Sequence, residues 1–317
     1  MIVAFTVNNR PGYLRQTLES WGRVRGIGEA LLLFRCEPGH REAVQVCTDF
    51  LVSSGIGGVV TVNEARFGVL GNPWVALESA FGEPLGEDFV ILAEEDMVVS
   101  PDVSEYFAWC QRYRDDPAVL GVTTYQHHEQ PGGLAGAGLA DWSRDDQWHF
   151  WIWGTWRDRW ENLLRDSWDM TYEENGGGPG QRGWDWKLRN TLVVGKGMKM
   201  IAPSLCRSQH IGRDGGTHCT PAQFESLLSG CYAGDDVPPQ DYRDPALYEC
   251  ECCERRNVPR KLKGIGYVCD DCFDSYVWTG YEKGDAPLEH GAGRTCPFKN
   301  VAAQPGQGAA FGHSSSA

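Results

Sequence analysis

Phe89-Val90-Ile91-Leu92-Ala93-Glu94-Glu95-Asp96 is the stretch on which the fold turns. Five apolar residues bounded by turn-forming segments read as a strand buried on both faces, which is the pattern of a parallel sheet covered by helices. The run passes directly into three acids, so the charges sit at the strand's carboxyl end, where open α/β sheets place their ligands. Three adjacent carboxylates repel one another unless a cation or hydrogen bonds offset their charge.

The segments on either side give the same alternation. Ile2–Val7 is a β-branched strand, and after the turn cluster Asn8-Asn9-Arg10-Pro11-Gly12, Leu14, Leu18 and Trp21 fall on one face of a helix over Tyr13–Trp21. Ala30–Phe34 reads as a second strand, Arg41–Ser53 as a helix, Gly58–Val62 as a third strand and Pro73–Phe81 as a helix. Met97–Val99 continues past the acids, and a helix over Pro101–Arg114 is expected with Ser100 as its cap. The order predicts an α/β domain with a mostly parallel sheet.

Farther along, residues 130–147 and 173–183 are rich in Gly and read as loops, and the G-x-G of the first lacks the strand-before, helix-after setting of a dinucleotide site. Trp153, Trp156 and Trp160 recur at helical spacing, either as packing under the sheet or as faces for sugar rings. Trp184-Asp185-Trp186 opens a further helical stretch. A carboxylate between two tryptophans is partly desolvated, which raises its pKa towards the range of a general base; the competing reading is an acid favoured by a helix N-terminus. His210 is read either as a ligand of a metal or diphosphate, or as a structural residue.

The chain has 317 residues, 41% hydrophobic and 23% charged, a globular composition with length for about two domains. A formal charge of −14 disfavours nucleic-acid binding through the overall field, because phosphate contacts need clustered Lys and Arg. No run of 18 apolar residues suggests a membrane span, and Met1–Val7 lacks the pattern of a signal peptide. A cytoplasmic setting is therefore expected, in which twelve cysteines point to metal before disulfides. Cys250-x-x-Cys253 and Cys269-x-x-Cys272, 15 residues apart, have the spacing of a closed four-thiolate Zn²⁺ site, with Cys252 as an alternative to Cys250. Such a site is structural. Arg255, Arg256, Arg260, Lys261 and Lys263 make this module basic, either as a solvated face or as a contact for nucleic acid or an acidic protein. The expected organisation is a catalytic domain over 1–235, a linker over 236–248, a zinc ribbon over 249–282 and a disordered tail over 283–317.

Four segments in order carry a resemblance: Thr6-Val7-Asn8-Asn9-Arg10-Pro11 with Leu14, Leu18, Ser20 and Trp21; Leu92–Asp102 with Tyr106-Phe107; Trp184-Asp185-Trp186; and Ser208-x-His210-x-Gly212-x-x-Gly215. Over about the first 220 residues the chain resembles the GT-A nucleotide-sugar glycosyltransferases, most closely the N-acetylglucosaminyltransferase I type with its protein O-mannose relative. The resemblance implies that Asp96 coordinates Mn²⁺ or Mg²⁺ and that Glu95 contacts the donor's nucleotide-sugar portion, supported by Glu94. It further implies that Asp185 is the general base of an inverting transfer from a nucleotide-diphosphate sugar to a protein or glycan hydroxyl. Glu37 would lie near the base, Asn8 or Arg10 would line the nucleotide pocket, and Gly71 would either admit the donor closely or serve as a turn glycine. These enzymes do not generally carry the ribbon. The competing readings are a sugar nucleotidylyltransferase, which normally has a more Gly-rich first loop, and a zinc-ribbon interaction or nucleic-acid-associated protein with a degenerate transferase domain.

Overall fold

The computed structural model describes residues 1–82, 87–125, 139–142, 150–170, 183–203, 206–215, 221, 224, 260–262 and 266–268. Four strands follow the expected parallel order: β1 (Ile2–Val7), β2 (Leu31–Cys36), β3 (Gly58–Val62) and β4 (Phe89–Glu94). They pair β3-β2-β1-β4, all parallel, with Thr6 opposite Glu94. The chain winds outward from β1 to β3 and then crosses back to the other side of β1. The carboxyl ends of β1 and β4 thus flank a topological switch point, where loops diverge and leave a crevice.

Beyond the acids come β5 (Met97–Val99), β6 (Val119–Thr123), β7 (Leu139–Trp142), β8 (Trp153–Trp156), β9 (Lys199–Pro203) and β10 (Ser208–His210). The main sheet has eight strands in the order β3-β2-β1-β4-β8-β6-β9-β7, in which β8 runs antiparallel to both neighbours and β7 antiparallel to β9. β5 and β10 form a separate antiparallel pair, Met97 opposite His210. A last antiparallel pair, β11 (Arg260–Leu262) and β12 (Gly266–Val268), lies between the two C-x-x-C sequences. The four cysteines of those sequences, the linker and the tail fall outside the described residues.

Helices cover both sheet faces, as a sheet apolar on both sides requires. Val3, Phe5 and Val7 of β1 face a core with α1 (Pro11–Gly22), α2 (Arg41–Ser54) and α4 (Val103–Cys110); Trp21 meets the Phe5 ring edge-on at 5.4 Å. Ile2 and Ala4 face the opposite core with α3 (Gly68–Gly82) and two longer helical segments, α5 (157–167) and α6 (184–194). In α5 the middle residues Trp160–Leu164 widen to a π-helix, and in α6 Arg189–Val194 do so. Cys36, Cys47, Cys110 and Cys206 are buried, as small apolar residues would be. Among the described residues no helix is long and apolar enough to cross a membrane.

Four expectations are corrected. Trp153 and Trp156 belong to a strand, not a helix: they point to opposite cores, and because all four residues of β8 are buried no polar alternation marks the strand in the sequence. With Trp160 they are at most 1% exposed, so packing is their role and sugar stacking is not. Residues 139–142 of the Gly-rich 130–147 stretch form β7, stabilised by pairing with β9 that no local pattern announces. α3 starts at Gly68 rather than Pro73, because the Glu37 carboxylate, remote in sequence, accepts the amides of Phe67 and Gly68 at its N-terminus. α4 starts at Val103 and Ser100 does not cap it; the Ser100 amide instead donates to the Arg207 carbonyl at 3.0 Å.

Close packing at the sheet centre depends on missing side chains. A Cβ on Gly154 of β8 would come within 2.7 Å of Phe89 Cε1 and nearer still to the tip of that ring. Gly154→Ala is expected to destabilise the fold by about 1–3 kcal/mol, read as a lower urea midpoint at unchanged slope; an unchanged midpoint would show that the ring can yield.

Candidate functional site

Asp96 and Glu95 occupy the turn between β4 and β5 and are 1% and 2% exposed. Burying two carboxylates is costly unless each is ion-paired or hydrogen-bonded, and the partners come from β1 and β10. Chain leaving β1 presents the Asn8 amide, which donates to Glu95 Oε2 at 2.6 Å, and the Arg10 side chain, whose Nε lies 2.8 Å from Glu95 Oε1. Arg10 Nη1 reaches on to Asp96 Oδ2 at 2.8 Å, so one guanidinium spans both acids. The Thr17 hydroxyl of α1 donates to the Glu95 carbonyl at 2.9 Å.

His210 arrives from the other side because β10 pairs with β5. Its Nε2 lies 3.0 Å from Asp96 Oδ2, and the Ile211 amide extends the ladder to the Asp96 carbonyl at 2.9 Å. The ring packs on Trp151 with centroids 5.2 Å apart. Gly212 follows, its backbone against the ion pair: a Cβ there would collide with Asp96 Oδ2 and lie 2.9 Å from Arg10 Nη1. Sequence reading uses Gly212 only as a spacing mark; the need for glycine comes from a contact across 116 positions, and no local signal reveals it.

The carboxyls divide by environment. Burial alone would raise Asp96, but the hydrogen bond and charge of His210, with the charge of Arg10, outweigh it and hold the group below its usual range. Burial, then the charge of Asp96, push Glu94 up to about 8 against the opposing pull of Arg10; Asp185 and Glu95 add smaller repulsions. Asp185 is thus close enough to Glu94 for the two charges to oppose one another. Asp185 is itself pushed up to about 6 by burial, opposed by hydrogen bonds from the backbone of Trp186 and its own residue.

Asp185 is set by aromatic packing. Trp184 stacks on Trp168 at 4.1 Å and packs on Phe150 at 5.1 Å, and Trp168 Nε1 donates to the Leu70 carbonyl. Gly183 precedes it at φ 105°, with its missing Cβ 2.9 Å from Leu70 and 3.2 Å from Asp185 Oδ1. Trp168 and Gly183 escape the sequence reading for the reason Gly212 does.

The remaining predicted residues are placed differently. Glu37 sits past β2 with its carboxylate committed to the amides of Phe67 and Gly68. Gly71 is neither turn nor loop: it lies in α3, where a Cβ would press on Phe67 and Met170. A groove of about 530 Å³ between α1 and α2, lined by Arg15, Leu18, Val46 and Phe50 among others, contains none of Glu94, Glu95, Asp96 and Asp185.

Among the described residues no three His, Cys, Asp or Glu side chains converge on a metal position. Asp96 Oδ1, however, is buried with no hydrogen-bond partner among those residues, as are Asn8 Oδ1 and His210 Nδ1. One free carboxylate oxygen fits a hard divalent ion that takes most of its shell from water and phosphate. It does not fit a dedicated protein cage.

No family model matches the chain, and no curated protein matches its sequence. Among solved structures it is similar to the mannosyltransferase PcManGT from Pyrobaculum calidifontis, in complex with GDP-Man and Mn²⁺: 15% identity, 65% of this chain and 55% of that one, TM-score 0.43. It is also similar to S. aureus TarS 1-349 in complex with UDP-GlcNAc, at 12% identity, 69% and 60% coverage and TM-score 0.46. A third is the nucleoside-diphosphate-sugar pyrophosphorylase from Vibrio cholerae RC9, at 12% identity, 71% and 98% coverage and TM-score 0.39. The chain thus spans 55% and 60% of the length of the first two. At these TM-scores the likenesses carry no weight for activity, which must be argued from this chain's own residues.

The folded protein holds the Asp185 proton more tightly than the unfolded chain, whose carboxyl titrates near the usual 3.8. Stability therefore falls as pH rises from about 4 to about 6 and stays reduced above that range. Asp185→Asn is expected to be more stable than the parent at pH 7.5, by about 1–2 kcal/mol after allowing for partial exposure, and equally stable at pH 3.5. Thermal unfolding at both pH values measures this, and a difference independent of pH would contradict it.

Proposed function

We propose that the chain is a metal-dependent, inverting glycosyltransferase of GT-A type, transferring a sugar from a nucleotide-diphosphate donor to a hydroxyl of a protein or glycan. The observation that supports this reading is that carboxyls close enough to repel one another are tuned in opposite directions. Asp96 is kept ionised with one oxygen unpaired, and Asp185 is pushed up to about 6 within electrostatic reach of the same acids. Pairs of acids whose environments drive them apart are how one site supplies both a fixed charge and a base.

In this proposal Asp96 holds Mn²⁺ or Mg²⁺, with His210 beside it. The ion, when bound, supplies positive charge for the departing diphosphate. Asp185 takes the proton of the acceptor hydroxyl as that oxygen bonds to the anomeric carbon and the bond from that carbon to the diphosphate oxygen breaks, so the anomeric configuration inverts. Glu95 fixes Arg10 and the Asn8 backbone at the nucleotide side, Glu94 supports the pair, and Glu37 shapes the wall through the loop entering α3. Gly71 lets that wall pack closely on Met170. The catalytic domain extends over 1–235, followed by the linker 236–248, a ribbon over 249–282 and the tail. Cys250, Cys253, Cys269 and Cys272 hold a structural Zn²⁺, a reading supported by the β11–β12 hairpin between the two cysteine pairs.

Donor hydrolysis across a panel of nucleotide sugars with Mn²⁺ or Mg²⁺ tests this. Slow, metal-dependent release of one nucleoside diphosphate is expected, lost in Asp96→Ala. Transfer to an acceptor should fall about 10²–10⁴-fold in Asp185→Asn, and the parent rate should climb tenfold per pH unit below about pH 6 and level off above it. No binding of any donor by the folded protein would overturn the reading in favour of an interaction module.

A further inference from the structure

Arg10 plays a part that neither the sequence nor the proposed reaction assigns. Its guanidinium holds Asp96 Oδ2 while its Nε is anchored on Glu95, whose other oxygen is taken by the Asn8 amide. A cation that offsets these acids is thus part of the chain. Its charged state is secure: burial alone would weaken it, but Asp96, Glu95 and Glu94 together strengthen it. Arg10 covers Asp96 Oδ2 with a side chain that is itself 20% exposed, while the Asp96 side chain is 2% exposed. The Gly212 backbone lies so near Nη1 and Asp96 Oδ2 that no Cβ fits, and a Cβ on Gly215, at φ 73°, would lie 3.9 Å from Arg10 Cδ.

We propose that Arg10 gates the divalent-ion site, so that ion and nucleoside diphosphate bind as a mutually dependent pair. This rests on the reading of Asp96 as the ion's ligand. A divalent ion at Asp96 and a guanidinium on the same carboxylate repel each other. A diphosphate changes the balance, because its oxygens match the planar fork of a guanidinium as well as a carboxylate does. Anchored on Glu95, Arg10 then exchanges Asp96 for phosphate, and Asp96 is released to the ion. Neither ligand alone brings about this exchange, which yields positive coupling between them.

The test is Mn²⁺ binding to the full chain, followed by loss of the free-ion electron paramagnetic resonance signal, alone and with UDP or GDP. A charge within about 4–6 Å moves a site's affinity for a proton by about one to three log units, and an effect of about tenfold or more is expected for the ion. Parent protein should bind Mn²⁺ at least about tenfold more tightly with one of the nucleotides than without. Arg10→Gln should bind Mn²⁺ without nucleotide about tenfold more tightly than the parent and lose most of the nucleotide effect. Arg10→Lys, which cannot span both acids, should fall between them, and adding Asp96→Asn should abolish the gain. Thermal unfolding checks that each variant is folded. Unchanged or weaker Mn²⁺ binding in both folded Arg10 variants would overturn the gate. A parent that ignores both nucleotides, with Arg10→Gln still tightening Mn²⁺, would keep Arg10 as the obstacle to the ion but defeat the coupling and the donor reading together.

Discussion

The three carboxyls that end β4 set a constraint that much of the molecule answers. A buried strand end cannot hold this charge in isolation, and each neighbouring element supplies part of the compensation. Asn8 and Arg10 reach it only because β1 lies beside β4, an adjacency created by the crossover that reverses the strand order. α1 contributes the Thr17 hydroxyl to the Glu95 carbonyl, and β10 contributes His210. Without these partners, desolvation would favour protonated acids, with no fixed charge to offer a ligand.

Compensation is uneven, and the unevenness is what gives the site chemical direction. Asp96 is surrounded by Arg10 and His210, whereas no ion pair among the described residues reaches Glu94 or Asp185, whose environments are governed by burial. One protein therefore offers a permanently charged carboxylate and one that exchanges a proton near neutrality, separated by packing rather than by residue type. Trp168 and Phe150 pack on Trp184, the residue before Asp185, and so fix the chain that carries it.

What the sequence discloses follows from how local each cause is. β1, β3 and the buried part of β4 are readable because apolar runs and turn residues are contiguous, and the face of α1 is readable from Leu14, Leu18 and Trp21. The acids announce themselves because charge directly after a buried strand demands an explanation. By contrast, β8 is buried on both sides and looks helical by its tryptophan spacing, and β7 owes its existence to β9. Among the candidate residues, the acids and Asp185 are visible as residue types in position, but the Arg10 bridge, Gly212 against Asp96 and Glu37 on the α3 amides arise from contacts between distant segments. A single sequence carries no periodicity for those.

The same logic explains a charged pair buried well inside. Arg207 Nε lies 3.0 Å from Asp102 Oδ2, and both side chains are wholly inaccessible. Such a pair adds little net stability over an apolar one, since desolvation offsets its attraction, but losing one partner is severe. Its position suggests what it secures instead. Arg207 immediately precedes β10, its amide donates to the Thr124 carbonyl at 2.7 Å and its carbonyl accepts the Ser100 amide at 3.0 Å, so the segment is held at one register on β5. A slip of one residue would turn His210 to the opposite face and set Gln209 or Ile211 against Met97. An apolar pair would tolerate that slip, whereas a guanidinium and a carboxylate that must find each other out of water would not. The buried pair therefore fixes which side chain meets Asp96, and through it the charge state of the crevice.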